Sequence, residues 1–295
     1  MTHKFTRRQG ISAIAALALM TSLSLPTTVL SGEENATPIE GINMIISGPE
    51  NQIATYKTGR TGDMPIIFLH GDSGRASQWD PVMQLLDTGI SFDFSGHGAS
   101  EPHGAGDYSF KARAADMQAV VTAHSLDQFV IVAHSGSVGV AFEYAGAHAD
   151  QVAGILLIDP ATDARQMPAE MRQGFLDALS GPDAAEAVKG YYASIAGSNP
   201  TVIAQVQADA DVVHPDARIG IATTLLSWNP EDAVAHYDGP VEVMITPFND
   251  NPAAIYHLMN GVTPTVISDT GHWIQLDAPE VIADAVKDFI LTLKN

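Results

Sequence analysis

The chain of 295 residues contains no cysteine. That absence excludes disulfides, thiolate nucleophiles, cysteine-based metal sites and a lipid anchor on a leader-terminal cysteine. Basic residues are scarce. Fourteen Lys and Arg stand against 34 Asp and Glu, giving a formal net charge of −20. A polyanion repels nucleic acid and anionic lipid headgroups, so neither is an expected partner. Charged residues make up only 16% and hydrophobic residues 45%. This balance argues against disorder and coiled coil and allows a sizeable core. The sequence has no H-E-x-x-H pairing, no glycine-rich dinucleotide fingerprint and no phosphate loop, so no metal and no cofactor is expected.

Long hydrophobic runs are also lacking, except for Ile11 to Leu25. That run is too short to span a bilayer comfortably, and it follows Lys4, Arg7 and Arg8. A basic stretch before a short apolar one is the pattern of an export leader. Residues 1–31 read as a signal peptide, with Val29-Leu30-Ser31 the best small-residue cleavage site. Thr6-Arg7-Arg8-Gln9-Gly10-Ile11 resembles a twin-arginine signal. Cleavage removes three positive charges and no negative ones, and the mature chain is expected in the periplasm or outside the cell. No stable membrane anchor is expected after cleavage.

Residues 32–295 read as one domain. Strand-like and helix-like segments alternate, the signature of a mostly parallel sheet with helices on both faces. Ile42–Ile46 and Gln52–Tyr56 form an opening pair. Buried strands are expected at Met64–Leu69, Gln128–Ala133 and Gly154–Ile158, and further strands at Ile90–Phe94, Val241–Ile245 and Thr265–Ser268. Helices are expected at Gln78–Leu86, at Ser109–His124 with Ser109 as N-cap, at Gly136–His148 and at Val281–Leu293. Between Pro160 and Pro240 the pattern turns helix-rich, with breakers at Gly181-Pro182, Asn199-Pro200, His214-Pro215 and Asn229-Pro230. About 161–235 therefore reads as a helical cap inserted over the sheet.

The strongest chemical signal is Val130-Ile131-Val132-Ala133-His134-Ser135-Gly136-Ser137. A buried strand ends, a serine follows and a helix begins. Such a sharp turn lifts the serine hydroxyl clear of the sheet and aims helix N-terminal N–H groups at a developing oxyanion. Ser137 is a rival nucleophile, but it falls in the first turn of the helix, whereas Ser135 stands at the junction.

Four segments in order carry a resemblance to the α/β-hydrolase fold family, esterase-like and with a helical cap. They are Phe68-Leu69-His70-Gly71, Gly96-His97-Gly98-Ala99-Ser100, Ala133-His134-Ser135-Gly136-Ser137 and Gly271-His272-Trp273. The resemblance implies an oxyanion hole formed by the backbone N–H groups of Asp72 and Gly136; the plain alternative, that Asp72 is a solvated turn residue, is compatible because only its backbone is needed. It implies His272 as catalytic base and an acid in the turn Phe248-Asn249-Asp250-Asn251-Pro252, hence Asp250. Asp159, at the end of Leu156-Leu157-Ile158-Asp159-Pro160, is the alternative acid. His70, His97 and His134 read as structural.

The chain departs from the family pattern at Ser95, Ala133, Ser137, Val138 and Pro247, none of which removes a catalytic atom. The expected activity is cleavage of a small-molecule carboxylic ester or lactone through an acyl-serine. Carbon–carbon bond hydrolases and cofactor-free perhydrolases use the same triad, and a ligand-binding protein could use the same scaffold. Trp228, Met167 and Met171 of the cap are candidate substrate contacts or packed core.

Overall fold

The computed structural model describes residues 42–60, 62 and 64–294; the leader reading lies outside them. Eight strands form one sheet in the order β1-β2-β4-β3-β5-β6-β7-β8. β1 (Ile42–Ser47) and β2 (Gln52–Gly59) form the expected antiparallel pair. β3 (Ile66–Leu69) lies between β4 (Thr88–Phe92) and β5 (Phe129–His134), parallel to both. β6 (Val152–Ile158), β7 (Val241–Ile245) and β8 (Thr265–Val266) continue in parallel.

The central strands are apolar at consecutive positions because both faces are covered. Their side chains alternate between the faces. Val130 and Val132 pack with Val82 and Met83 of α1 (Asp80–Leu86) and with Ile282, Val286 and Phe289 of α10 (Pro279–Thr292). Ile131 and Ala133 face the other way, onto Phe110, Met117 and Val120 of α2 (Phe110–Ala123) and Phe142 and Tyr144 of α3 (Val138–Ala147). Ser109 caps α2 as expected, its Oγ accepting from the Ala112 N–H at 3.1 Å.

Between β6 and β7 run α4 (Ala169–Ser180), α5 (Ala184–Ile195), α6 (Pro200–Asp211), α7 (Pro215–Ser227) and α8 (Pro230–Val234). Three of the proline breakers are helix starts. Pro200, Pro215 and Pro230 each occupy a first-turn position, where the missing N–H costs nothing and the fixed φ suits the helix. The short α9 (Ile274–Asp277) precedes α10.

The insertion touches the loops at the carboxyl ends of the strands. The His214 N–H donates to the Gly96 carbonyl at 2.9 Å, and the His272 N–H donates to the Ile195 carbonyl at 2.9 Å. At Gly271 the approach is close enough that a Cβ would lie 2.2 Å from the Ala196 carbonyl, so only glycine fits. Among the described residues, no helix is long and apolar enough to cross a membrane.

Candidate active site

In an open parallel sheet, functional groups gather outside the carboxyl ends of the strands. β3 ends into His70 and Gly71, β5 into Ser135 and β6 into Asp159. His134 and Ile158 are register partners, so Ser135 and Asp159 leave adjacent strands side by side. His272 reaches the same place from the loop between β8 and α9.

Ser135 has φ of 53°, a left-handed conformation that costs a non-glycine residue energy. It follows the last strand residue and starts a short 3-10 turn, Ser135–Ser137, that leads into α3. The backbone therefore makes the strained strand-to-helix elbow. Ser137 does not compete for the role. It is fully buried, with its Oγ donating to the His134 carbonyl at 2.7 Å and the Leu69 carbonyl at 3.2 Å.

The three side chains form a line. The Ser135 hydroxyl lies 2.8 Å from His272 Nε2, and Asp159 Oδ2 lies 2.6 Å from His272 Nδ1. A carboxylate accepts, so Nδ1 carries the proton and Nε2 is free to accept from the serine. Asp159 is buried. Its Oδ1 accepts from the Thr246 N–H at 2.7 Å, and the Thr246 hydroxyl sits 3.1 Å from both oxygens. Burial alone would push this carboxyl up. The hydrogen bond and charge of His272, with the Thr246 N–H, outweigh it and hold the group below the ordinary aspartate value.

The structure corrects the expectation at Asp250. That residue lies beyond the end of β7, and its Oδ1 accepts from the Tyr256 hydroxyl at 2.7 Å instead of meeting His272. The turn holding it is closed by Asn249 N–H donating to the Thr246 carbonyl and Ala254 N–H donating to the Asn251 carbonyl. The residue that follows β7 is Thr246, and its N–H and hydroxyl bond to the Asp159 carboxylate.

His70, His97 and His134 are buried, and each bonds a neighbouring backbone group. His134 is buried, and its Nε2–H donates to the His272 carbonyl at 2.9 Å. Burial and the neighbouring His272 lower it to about 3, so it stays neutral near pH 7. His70 Nδ1–H donates to the Gly71 carbonyl at 2.8 Å, and its Nε2 accepts from the Phe94 N–H at 3.1 Å. Burial lowers His97 to about 3.

Asp72 lies in the turn after β3, next to Gly136. A Cβ on Gly136 would meet Asp72 Oδ2 at 2.1 Å, so any larger residue there would displace the carboxylate that leans over the elbow. Among the described residues, the Asp72 N–H has no protein acceptor, whereas the carboxylate pairs with Arg113 Nη1 at 3.1 Å. The side chain is thus engaged in an ion pair, which sets aside the alternative of a solvated turn residue, and sequence reading missed Arg113. No local signal marks it: Arg113 lies in the first turn of α2, and only the fold brings it to the turn after β3.

Of the candidate substrate contacts between β6 and β7, Trp228 is core, packed edge-on against Phe110 at 5.2 Å between ring centroids, while Met167 is exposed. Among the described residues, no group of three or more His, Asp or Glu side chains is placed to hold a metal ion.

Comparison with known proteins places this geometry in context. The sequence profile of the alpha/beta hydrolase family matches residues 66–285. A stretch of 115 residues, 37% of this chain, is 31% identical to a serine hydrolase-like protein of Homo sapiens, of which it covers 57%. A match of the same length is 31% identical to Protein ABHD8 of Mus musculus and covers 26% of it. The chain therefore aligns with only about a quarter to somewhat over half the length of these relatives.

Among solved structures, a thermophilic esterase from Thermogutta terrifontis superposes with TM-score 0.75 at 19% identity, over 87% of this chain and 100% of that one. An enol-lactonase from Burkholderia xenovorans gives 0.73 at 15% identity, over 84% and 100%. Likeness at these identities shows a shared fold.

Proposed function

The chain belongs to the alpha/beta hydrolase family, and from that membership we propose that it is a serine hydrolase cleaving small-molecule carboxylic esters or lactones, with Ser135 as nucleophile, His272 as base and Asp159 as acid. The observation that carries this reading is the unbroken pair of hydrogen bonds, Ser135 Oγ to His272 Nε2 at 2.8 Å and His272 Nδ1 to Asp159 Oδ2 at 2.6 Å. The esterase and lactonase folds that the chain resembles support the substrate class.

His272 Nε2 takes the hydroxyl proton as Ser135 Oγ attacks the substrate carbonyl carbon. The buried Asp159 holds the imidazole in the Nδ1–H tautomer and stabilises the imidazolium that forms. The N–H groups of Asp72 and Gly136 receive the oxyanion. Preorganised donors of this kind are each worth roughly 10²–10³ in rate. As the intermediate collapses, His272 gives its proton to the leaving alkoxide and the alcohol departs. For a lactone the freed hydroxyl stays on the acyl group. His272 then takes a proton from water as its oxygen attacks the acyl carbon; the Ser135 Oγ–acyl bond breaks, His272 returns the proton to Ser135 Oγ, and the carboxylic acid is released.

The test is hydrolysis of 4-nitrophenyl acetate by the wild-type protein and Ser135→Ala, with fluorophosphonate labelling and peptide mapping. A burst, steady turnover and a label on Ser135 are expected. Turnover undiminished in Ser135→Ala would overturn the reading. A panel of short and long esters, lactones and amides then sets acyl and alcohol preference.

The leader at residues 1–31 supports export before the enzyme acts. Sequencing the N-terminus of protein from the native host is expected to begin near Gly32; an intact Met1 or Thr2 terminus would count against cleavage.

A further inference from the structure

The two N–H groups assigned to the oxyanion flank a negative charge. The Asp72 carboxylate leans against the Cα of Gly136, so close that a Cβ there would lie 2.1 Å from Oδ2. Serine acylation develops a second negative charge between the same two residues. Two anions about 5 Å apart, at an effective dielectric of about 20, repel strongly enough to slow a reaction roughly a hundredfold. A bare carboxylate at this place would cancel much of what one oxyanion donor supplies.

The fold provides a counter-charge. Arg113 rises from the first turns of α2 and donates through Nη1 to Asp72 Oδ1 at 3.1 Å, its one side-chain hydrogen-bond acceptor among the described residues. Its side chain is 1% exposed, and the guanidinium lies 4.1 Å over the Phe94 ring. A guanidinium does not deprotonate in a protein, so the compensation holds at every working pH. The bond also draws the Asp72 side chain toward α2, which fixes the turn carrying the Asp72 N–H.

We infer that Arg113 is a positioning residue for the hydrolysis: acting through Asp72, it neutralises the carboxylate beside the oxyanion hole and holds the Asp72 turn in place. This rests on the reading of Ser135, Asp72 and Gly136 given under Proposed function. The role belongs to the transition state more than to substrate binding, because the ground-state carbonyl carries no full charge. Arg113 touches no reacting atom, and its loss should fall on kcat, with KM changing little.

The experiment is a double-mutant cycle on the full chain with 4-nitrophenyl acetate, each variant first checked for folding by circular dichroism. Arg113→Gln is expected to lower kcat by about 10- to 100-fold with KM within about threefold of wild type. Arg113→Lys, which keeps the charge but not the planar stacking on Phe94, is expected to recover about threefold or more of that loss. In an Asp72→Asn background, Arg113→Gln should change kcat by less than about threefold, because no carboxylate remains to be neutralised.

A purely structural arginine would cost the same in both backgrounds, and equal losses would overturn the inference. So would an Arg113→Gln enzyme with wild-type kcat. If Arg113→Gln alone does not fold, Asp72→Asn and the double variant still decide: a tenfold or larger difference between them overturns it. Failure of the underlying reading looks different, since hydrolysis would then survive Ser135→Ala in the otherwise wild-type protein.

Discussion

Asp159 Oδ2 stands 2.6 Å from His272 Nδ1, while Oδ1 of the same carboxylate accepts from the Thr246 N–H at 2.7 Å. One oxygen is tied to the backbone that follows β7, and the other is left for the imidazole. The Asp159 side chain is therefore held from the end of β7, while Asn249 of the Asp250 turn reaches only main-chain carbonyls there, those of Asp159 at 3.5 Å and Pro160 at 3.4 Å.

Asp159→Asn should lower kcat by up to about 10⁴, because an amide can present its N–H to Nδ1 and favour the wrong imidazole tautomer. Asp250→Asn, which changes only a partner of the Tyr256 hydroxyl, should leave kcat near wild type. Both are assayed with one ester after their folding is checked. A crippled Asp250→Asn beside an active Asp159→Asn would return the acid to the later turn.

Much of this was legible in the sequence because local physics decided it. The apolar runs ending at Leu69, Ala133 and Ile158 had to be strands buried on both faces. A serine between such a strand and a helix had to sit on a strained turn, and φ of 53° at Ser135 bears that out. The carboxylate partner of His272 was harder to read because Asp159 and Asp250 both follow apolar strands, and the choice depends on which strand end lies beside Ser135. That is a pairing between β5 and β6, which spacing along the chain does not encode. One local clue existed: β7 runs into Thr246-Pro247-Phe248, with no carboxylate until Asp250. The Arg113–Asp72 pair, 41 residues apart in sequence, carries no local signature at all.

Ser135→Ala should lower kcat by about 10⁴–10⁶. Ser137→Ala should act mainly on stability. It removes a buried hydroxyl bonded to two carbonyls, at a cost of about 1–2 kcal/mol, while the Ser135 hydroxyl and its base stay in place. Fluorophosphonate mapping and urea titration separate the two effects. A label on Ser137 would reverse the assignment.

His134→Phe should lower both activity and stability. The ring of His134 lies 4.6 Å from that of His272, and its Nε2–H holds the His272 carbonyl. Phenylalanine keeps the packing and removes the donor. An unsatisfied carbonyl costs about 1–3 kcal/mol, and a base loosened by a fraction of an ångström is expected to cost about tenfold in kcat. Thermal melts and ester assays read the two losses. Wild-type values in both would show that the bond positions nothing.

The contact between the insertion and the sheet should carry a pH signature of its own. Asp209 on α6 is buried and its Oδ2 accepts from Gln78 Nε2 at 2.7 Å. Burial raises its carboxyl from 3.8 to about 6; the Gln78 bond and the charge of Arg75 oppose the rise, and Asp93 adds to it. Between those two values the folded chain binds the proton more tightly than the unfolded chain. Folding is therefore penalised in full above about pH 6, and the penalty fades as pH falls toward 3.8. Asn at this position keeps an oxygen for Gln78 and never ionises. Asp209→Asn should stabilise the protein by about 1–3 kcal/mol at pH 8, with the advantage shrinking through pH 6 and gone near pH 4. Because wild type and variant share every other titrating group, the difference between their urea titrations isolates this carboxyl. A difference that stays flat, or that grows on acidification, would show that Asp209 is held ionised in the folded chain at no cost.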